Sequence, residues 1–315
     1  MFDILRRYKI SYELFNFFKK SKLKYNLPHY KKWGLKKYYF SSVSSEDFRG
    51  LESPKTIHDE NDSSLELPKN DKFNSLDTST KSQLLSWSKN GYVILRGFFT
   101  SADTTAINNE IDKLVKQKKA YWRYNNKIMF AINNSSLLKR IGTNKNLLSI
   151  IQLLLGKKVE LFQSINTLLA TEQRTHSDAI HMTTFPYGNL IAVWIALEDI
   201  SDESGPLHYY PGSHKLPYIL NRDFNNIGTR FTLGDREYSE YEDKIESIVK
   251  KHDLKKEVFL ANKGDVIIWH SNLLHGGEPL LNNNKTRKSM ILHYSSTDAV
   301  CFHEITQRPT LKPSL

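Results

Sequence analysis

The chain has 315 residues, 39% of them hydrophobic, and a formal charge of +11, enough for a large core in one domain or in a domain with an appendage. Its apolar runs fall well short of the ~18 residues a membrane-spanning helix needs, and the first thirty residues lack the apolar stretch of a secretory signal. The lone cysteine, Cys301, excludes an intramolecular disulfide and points to a reducing, cytoplasmic setting.

Charge is spread unevenly along the chain. Residues 1–40 carry +9 and residues 41–72 carry −4, so the basicity is concentrated in an N-terminal arm. The arm also holds twelve aromatic residues, and Ile4, Tyr8, Tyr12 and Phe15 fall at helical spacing, which predicts an amphipathic helix with Arg6, Arg7 and Lys9 turned outward. Such a helix suits peripheral attachment to an anionic membrane or an acidic partner. It suits equally well packing against the protein's own body with its lysines solvated. No groove-reading motif accompanies the charge, so nucleic acid is not an expected partner. Residues 41–74, rich in Ser, Asp, Glu and Asn, read as a polar linker or strap.

Residues 75–315 read as one domain whose first part, 75–156, is helical. Asp77 to Thr80 offers caps for a helix through Trp87 that closes at Asn90-Gly91. Tyr92–Phe99 predicts a strand, and Thr100 or Ser101 caps a second helix reaching about Lys119. Further helical patterns cover Ser135–Ile141 and Asn146–Leu155. After Gly156 the period becomes alternating, with strands expected at Val159–Leu169, Leu190–Leu197, Leu207–Tyr210, Val258–Leu260, Val266–Trp269 and Lys288–Ser295. The implied fold is mainly β with flanking helices (α+β). Its core, 157–300, is a double-sheet jelly roll of cupin-like form, with the N-terminal helices packed on one sheet. A polar insertion, 217–256, with a helix over Tyr238–Lys251, has the length of an active-site wall or lid.

The chemistry concentrates in Thr175–Lys215 and two later segments. His176 and Asp178, two apart on an extended strand, would leave the same face and converge on one ion. His275, just after the apolar run Asp265–Trp269, is the best candidate for a second imidazole. Two histidines and one carboxylate form the ligand set of non-haem Fe(II) oxygenases. Arg287 begins another strand, where its guanidinium could take the far carboxylate of a dicarboxylic co-substrate. Gln163 and His181 are candidates to face substrate. His181 also permits a zinc-hydrolase set with His176 and a carboxylate. Isolated histidines such as His270 and His293 read as packed strand residues.

These residues give the chain a resemblance to a known family. His176-X-Asp178, Trp194-Ile195-Ala196-Leu197-Glu198-Asp199, Gly205-Pro206-Leu207 leading into Pro211-Gly212-Ser213-His214-Lys215, and His275 followed by Arg287 together resemble the phytanoyl-CoA dioxygenase family of Fe(II)/2-oxoglutarate-dependent oxygenases, over roughly Asn90 to Ser296. The resemblance implies that His176, Asp178 and His275 bind Fe(II), that Arg287 and Ser289 grip 2-oxoglutarate, and that Asn166 and Trp194 lie near that co-substrate. It implies hydroxylation of a small-molecule substrate with O2, releasing succinate and CO2. Related halogenases replace the carboxylate by a small residue, so the retained Asp178 favours hydroxylation. The competing expectations are an inactive jelly-roll binding or scaffold protein and a cupin-type metalloenzyme independent of 2-oxoglutarate.

Overall fold

The computed structural model describes residues 7–123 and 126–312. Among them thirteen strands form three antiparallel sheets. The largest has the order β1 (Tyr92–Leu95), β9 (Val266–His270), β6 (Leu190–Ala196), β11 (Ser289–Ser296), β4 (Val159–Thr167), β3 (Lys127–Met129), β2 (Tyr121–Arg123). The second runs β10 (His275–Gly277), β7 (Leu207–Tyr209), β8 (Glu257–Phe259), and the third β13 (Arg308–Pro309), β12 (Val300–His303), β5 (Thr183–Phe185).

Strand β6 explains the layering. Its sequence, Leu-Ile-Ala-Val-Trp-Ile-Ala, holds no charged residue, so it takes a central place and is buried throughout. Alternation then sorts its side chains. Ile191, Val193 and Ile195 join Val266 and Ile268 of β9 and Met290 and Leu292 of β11 in one core with the helices Ser101–Lys116 and Lys145–Leu155. Ala192, Trp194 and Ala196 join Ile267 and Trp269 in a second core against Leu207 and Tyr209 of β7 and Phe259 of β8. The molecule is therefore a helical layer, the large sheet and a smaller facing sheet, an α+β arrangement with its N-terminal helices on one sheet.

The helices start where the sequence places their caps. Thr100 and Asp103 form a reciprocal capping box, and the helix Ser101–Lys116 buries Ile107, Ile111 and Leu114 at i, i+4, i+7. The Asn144 side chain accepts from the amides of Asn146 and Leu147, and the next helix ends at Gly156 with φ +69°. Burying each of these Leu or Ile side chains contributes roughly 1.5–3 kcal/mol. Strand β1 stops at Leu95 rather than Phe99, because Asp265 accepts from Arg96 Nη1 (2.6 Å) and from the Gly97 amide (2.7 Å) and turns the chain. The hairpin β2–β3 and strands β5, β12 and β13 carry no clear alternation in sequence, being two to four residues long.

The segment 41–74 lies along the body as short helical turns that bury Phe48, Leu67 and Phe73. In the arm, the helix Lys9–Phe18 turns Asn16 inward and leaves Tyr8 and Phe15 each 44% exposed. Of the expected apolar face, Tyr12 is held under Arg308 while Tyr8 and Phe15 stay half-exposed. Ile4 and Arg6 of that expectation lie outside the described residues. In the insertion, the helix Tyr238–Lys251 buries Tyr241 and Ile245 against Ile180 and Leu274, which flank two of the expected metal ligands. Among the described residues no helix is long and apolar enough to cross a membrane.

Candidate metal centre and co-substrate pocket

Two chain segments meet at the inner face of the large sheet. His176 and His275 pair in an antiparallel bridge, each amide donating to the other's carbonyl at 2.9 Å. Gly276 permits the approach, since a Cβ there would lie 2.7 Å from the Gln173 carbonyl oxygen. Asp178 reaches the same point differently from expectation: it opens a 3₁₀ turn, Asp178–Ile180, so the turn, not strand pleat, brings its carboxylate beside His176. One ligand atom from each of His176, Asp178 and His275 lies within 4.8 Å of the others, and all three residues are buried. Among the described residues it is the single such cluster, and His181 is not part of it.

Hydrogen bonds fix which atoms are available. The Nδ1 of His176 lies 2.9 Å from the Arg174 carbonyl and that of His275 2.9 Å from the Leu273 carbonyl. A carbonyl only accepts, so both Nδ1 atoms carry the proton and both Nε2 lone pairs are free. The Trp269 indole donates to Asp178 Oδ2 at 2.8 Å, leaving Oδ1 toward His275 Nε2 at 3.8 Å. Burial pushes the Asp178 carboxyl up, but His275, His293 and His176 outweigh it and hold the acid ionised, well below its usual range. Burial, with His275 and His181 adding to it, keeps His176 neutral. Two imidazoles with free Nε2 atoms and one ionised carboxylate are the donor set a divalent iron requires.

Arg287 lies just before β11, its amide bonded to the Leu168 carbonyl. Its guanidinium is 3% exposed, donates to the Gly205 carbonyl (3.2 Å) and to Thr171 Oγ1 (3.1 Å), and its Nε has no partner. It forms no ion pair among the described residues, and burial alone lowers its pKa to about 10. A buried cation without a counter-charge is costly, so the arrangement fits an anion supplied by a ligand. Ser289, two residues on and therefore on the same face, shares a 2.7 Å hydrogen bond with Thr167.

The other expected residues divide. Trp194 is inside, its indole N–H unpartnered between the sheets and its ring edge-on to Phe259. Gln163 opposes His293 in the ladder, so it shares the inner face, and its Oε1 has no partner. His181 bonds Tyr238 of the insertion at 2.9 Å, and burial takes its pKa down to about 4. Asn166 does not join them. It opposes Met290 and Ile128, both in the helix-side core, and alternation gives the inner position to Thr167 instead.

Three residues escaped the sequence reading. Trp269 orients the carboxylate; its alternation with Ile267 was the available signal. Lys127 on β3 bonds Gln173 at 3.0 Å, and its pKa is lowered by burial, then by Arg287, against a raising influence from Asp178, so a second cation lies within electrostatic reach of both. Arg174 pairs with Glu242, Asp243 and Glu246 and fastens the insertion helix to the segment that bears His176. The insertion's own arginines are engaged at the surface: Arg222 with Glu46 and Arg236 with Glu240.

Facing antiparallel sheets with a buried His-Asp-His cluster between them define a metal-dependent oxygenase of the cupin type. The chain belongs to the Phytanoyl-CoA dioxygenase (PhyH) family, whose model matches residues 87–289. As a member it is an Fe(II)- and 2-oxoglutarate-dependent dioxygenase. It is 21% identical over 243 residues to the peroxisomal phytanoyl-CoA dioxygenase of Homo sapiens, covering 67% of each chain. Among solved structures it shares the fold of the epimerase SnoN from nogalamycin biosynthesis, with TM-score 0.57 and 18% identity over 72% of this chain and 86% of that one. It shares it also with EctD from S. alaskensis, crystallised with 2-oxoglutarate and 5-hydroxyectoine, with TM-score 0.54 and 18% identity over 70% and 78% of the two chains.

Proposed function

We propose that the protein hydroxylates an unactivated C–H bond of a small-molecule substrate, consuming O2 and 2-oxoglutarate and releasing succinate and CO2. Bound iron and 2-oxoglutarate supply the oxidising power, as the keto-acid is decarboxylated. The chain holds and positions the reactants. His176 and His275 would ligate through Nε2 and Asp178 through the oxygen that Trp269 leaves free. Arg287 would take the distal carboxylate of 2-oxoglutarate, with the Ser289 hydroxyl beside it and the Trp194 N–H as a further donor. Gln163 and His181 would face the substrate, while the insertion helix, docked through Tyr241 and Tyr238, excludes water.

The observation that carries this reading is the buried Arg287, uncompensated among the described residues, in a fold that also clusters His176, Asp178 and His275. A scaffold that had lost activity has no need to keep a cation in the dark, and a cupin enzyme that needs no keto-diacid has no use for it. Hydroxylation is favoured over halogenation by the retained Asp178. The neighbours show that fold alone does not fix the outcome, since SnoN is an epimerase and EctD was captured with 5-hydroxyectoine. The test is succinate formation by the Fe(II)-loaded protein with and without 2-oxoglutarate, alongside Asp178→Gly. We expect keto-acid-dependent succinate from the native chain and a loss of about a thousandfold or more in the variant, ~4 kcal/mol of barrier. Full turnover by Asp178→Gly would remove that residue from the metal.

A further inference from the structure

The arm's helix, Lys9–Phe18, is apolar on more than its packed side. Asn16 is buried and Arg308 stacks over the Tyr12 ring at 5.4 Å, so one face is held against the body. On the opposite face, at i, i+4, i+7 and i+8, stand Ile10 (73% exposed), Leu14 (58%), Phe17 (47%) and Phe18 (73%). That spacing is one continuous stripe, and among the described residues it stays largely uncovered. It also extends past the helix at both ends. Backbone bonds from Lys9 to Phe231 and from Leu233 to Arg7 bring the exposed Phe231 to its start. At its far end Phe40 packs edge-on to Phe17 and stacks on the exposed Tyr38.

Cations frame the stripe. Lys20 lies over the Phe17 ring at 4.5 Å and Arg230 over the Phe231 ring at 5.7 Å. Lys19, Lys22 and Lys24 are exposed just beyond the helix. Residues 7–40 carry +9, with Glu13 their single acid, and the nearby Asp235 is paired with Arg7 at 3.7 Å. A contiguous exposed apolar patch rimmed by charge marks an interaction surface. The sign of the rim selects its occupant: a second copy would set +9 against +9, whereas an anionic surface is complementary. An outward helical stripe of Phe and Leu with lysines at its flanks is the form that lies in the plane of a bilayer, apolar residues at the acyl boundary and amines among headgroups.

We propose that this stripe docks the protein peripherally on anionic lipid bilayers. Because the arm is bonded to the insertion, and the insertion helix reaches the metal-bearing turn through Tyr241 and Ser177, the docked surface is mechanically tied to the cover of the active site. The test is cosedimentation of the full chain with phosphatidylcholine vesicles that contain or lack phosphatidylserine. The native protein should pellet with the phosphatidylserine vesicles and be released by added salt. Leu14→Glu combined with Phe18→Glu should weaken binding more than tenfold, and Lys20→Glu with Lys22→Glu by at least about fivefold for each charge removed. Both pairs are exposed, so circular dichroism, melting temperature and succinate formation should stay as in the native chain. Three results would overturn the proposal: native protein left in the supernatant with anionic vesicles, binding that neither pair weakens, or a dimer in solution that the Leu14/Phe18 pair abolishes.

Discussion

Strands β6, β9 and β11 present two different surfaces to their surroundings. Toward the helices they offer Ile191, Val193, Ile195, Ile268, Met290 and Leu292, every one buried in a single apolar core. Toward the smaller sheet the same strands offer Trp194, His293 and Ser289, in line with Arg287, and several of these polar atoms have no partner among the described residues. On these strands the first face is closed by apolar packing, and the second keeps polar atoms that a ligand would meet. The difference separates stability from function within a single sheet, because side chains one residue apart belong to opposite faces.

Changes confined to one face should therefore be read by one kind of measurement. The largest effect on the helix side is Leu292→Ala, which should cost about 2–5 kcal/mol of stability by chemical denaturation. The KM for 2-oxoglutarate should stay within about twofold, and a large rise would show that the faces are coupled. On the other side, Arg287→Met removes a guanidinium that no acid neutralises among the described residues. The KM for 2-oxoglutarate should rise about thirtyfold or more, as expected for a lost charge-assisted pair worth ~2–3 kcal/mol. The ligand-free protein should at the same time melt at a higher temperature, since an apolar side chain replaces a buried charge. A variant that lost stability and kept its KM would mean that the arginine serves the fold.

The same division decides what the sequence could reveal. Long elements with strong period were legible: β6, β9, β11 and the helices Ser101–Lys116, Lys145–Leu155 and Tyr238–Lys251 all fall where alternation or helical spacing puts them. His176, Asp178 and His275 were legible as ligand types at ligand spacing, although the 3₁₀ turn at Asp178 was not, because a turn of three residues has no period. Lys127 stands on a three-residue strand beside a hairpin that alternation cannot register. The arm's orientation was not legible because its sequence is apolar on more than one face, and only tertiary contacts with Arg308 and the C-terminal segment choose between them. Trp269 lay in a recognisable strand, but the bond it makes to Asp178 joins residues 91 positions apart.

That bond can be weighed separately. Trp269→Phe keeps the ring that packs among Trp194 and Ile267 but removes the N–H that aims Asp178. Outer hydrogen bonds of this kind are worth about ten- to a hundredfold in metal affinity. Fe(II) or Mn(II) titration under anaerobic conditions should show a loss in that range, with saturating metal restoring most of the turnover. Unchanged affinity would mean that His293, whose Nε2 is 3.8 Å from the same oxygen, orients the carboxylate unaided.

Asn166 gives the smallest effect and the sharpest boundary between the faces. It opposes Met290 on one side and Ile128 on the other, both fully buried and apolar, and neither its Oδ1 nor its Nδ2 has a partner among the described residues. Replacing an unpartnered buried amide by a β-branched side chain on a strand removes a desolvation cost and suits the pleat. Asn166→Val should therefore leave stability unchanged or raise it by about 1 kcal/mol, and leave the KM for 2-oxoglutarate where it was. A several-fold rise in that KM would place Asn166 with Thr167 and Ser289 on the ligand side of the sheet, and the division between the two faces at β4 would fail at that residue.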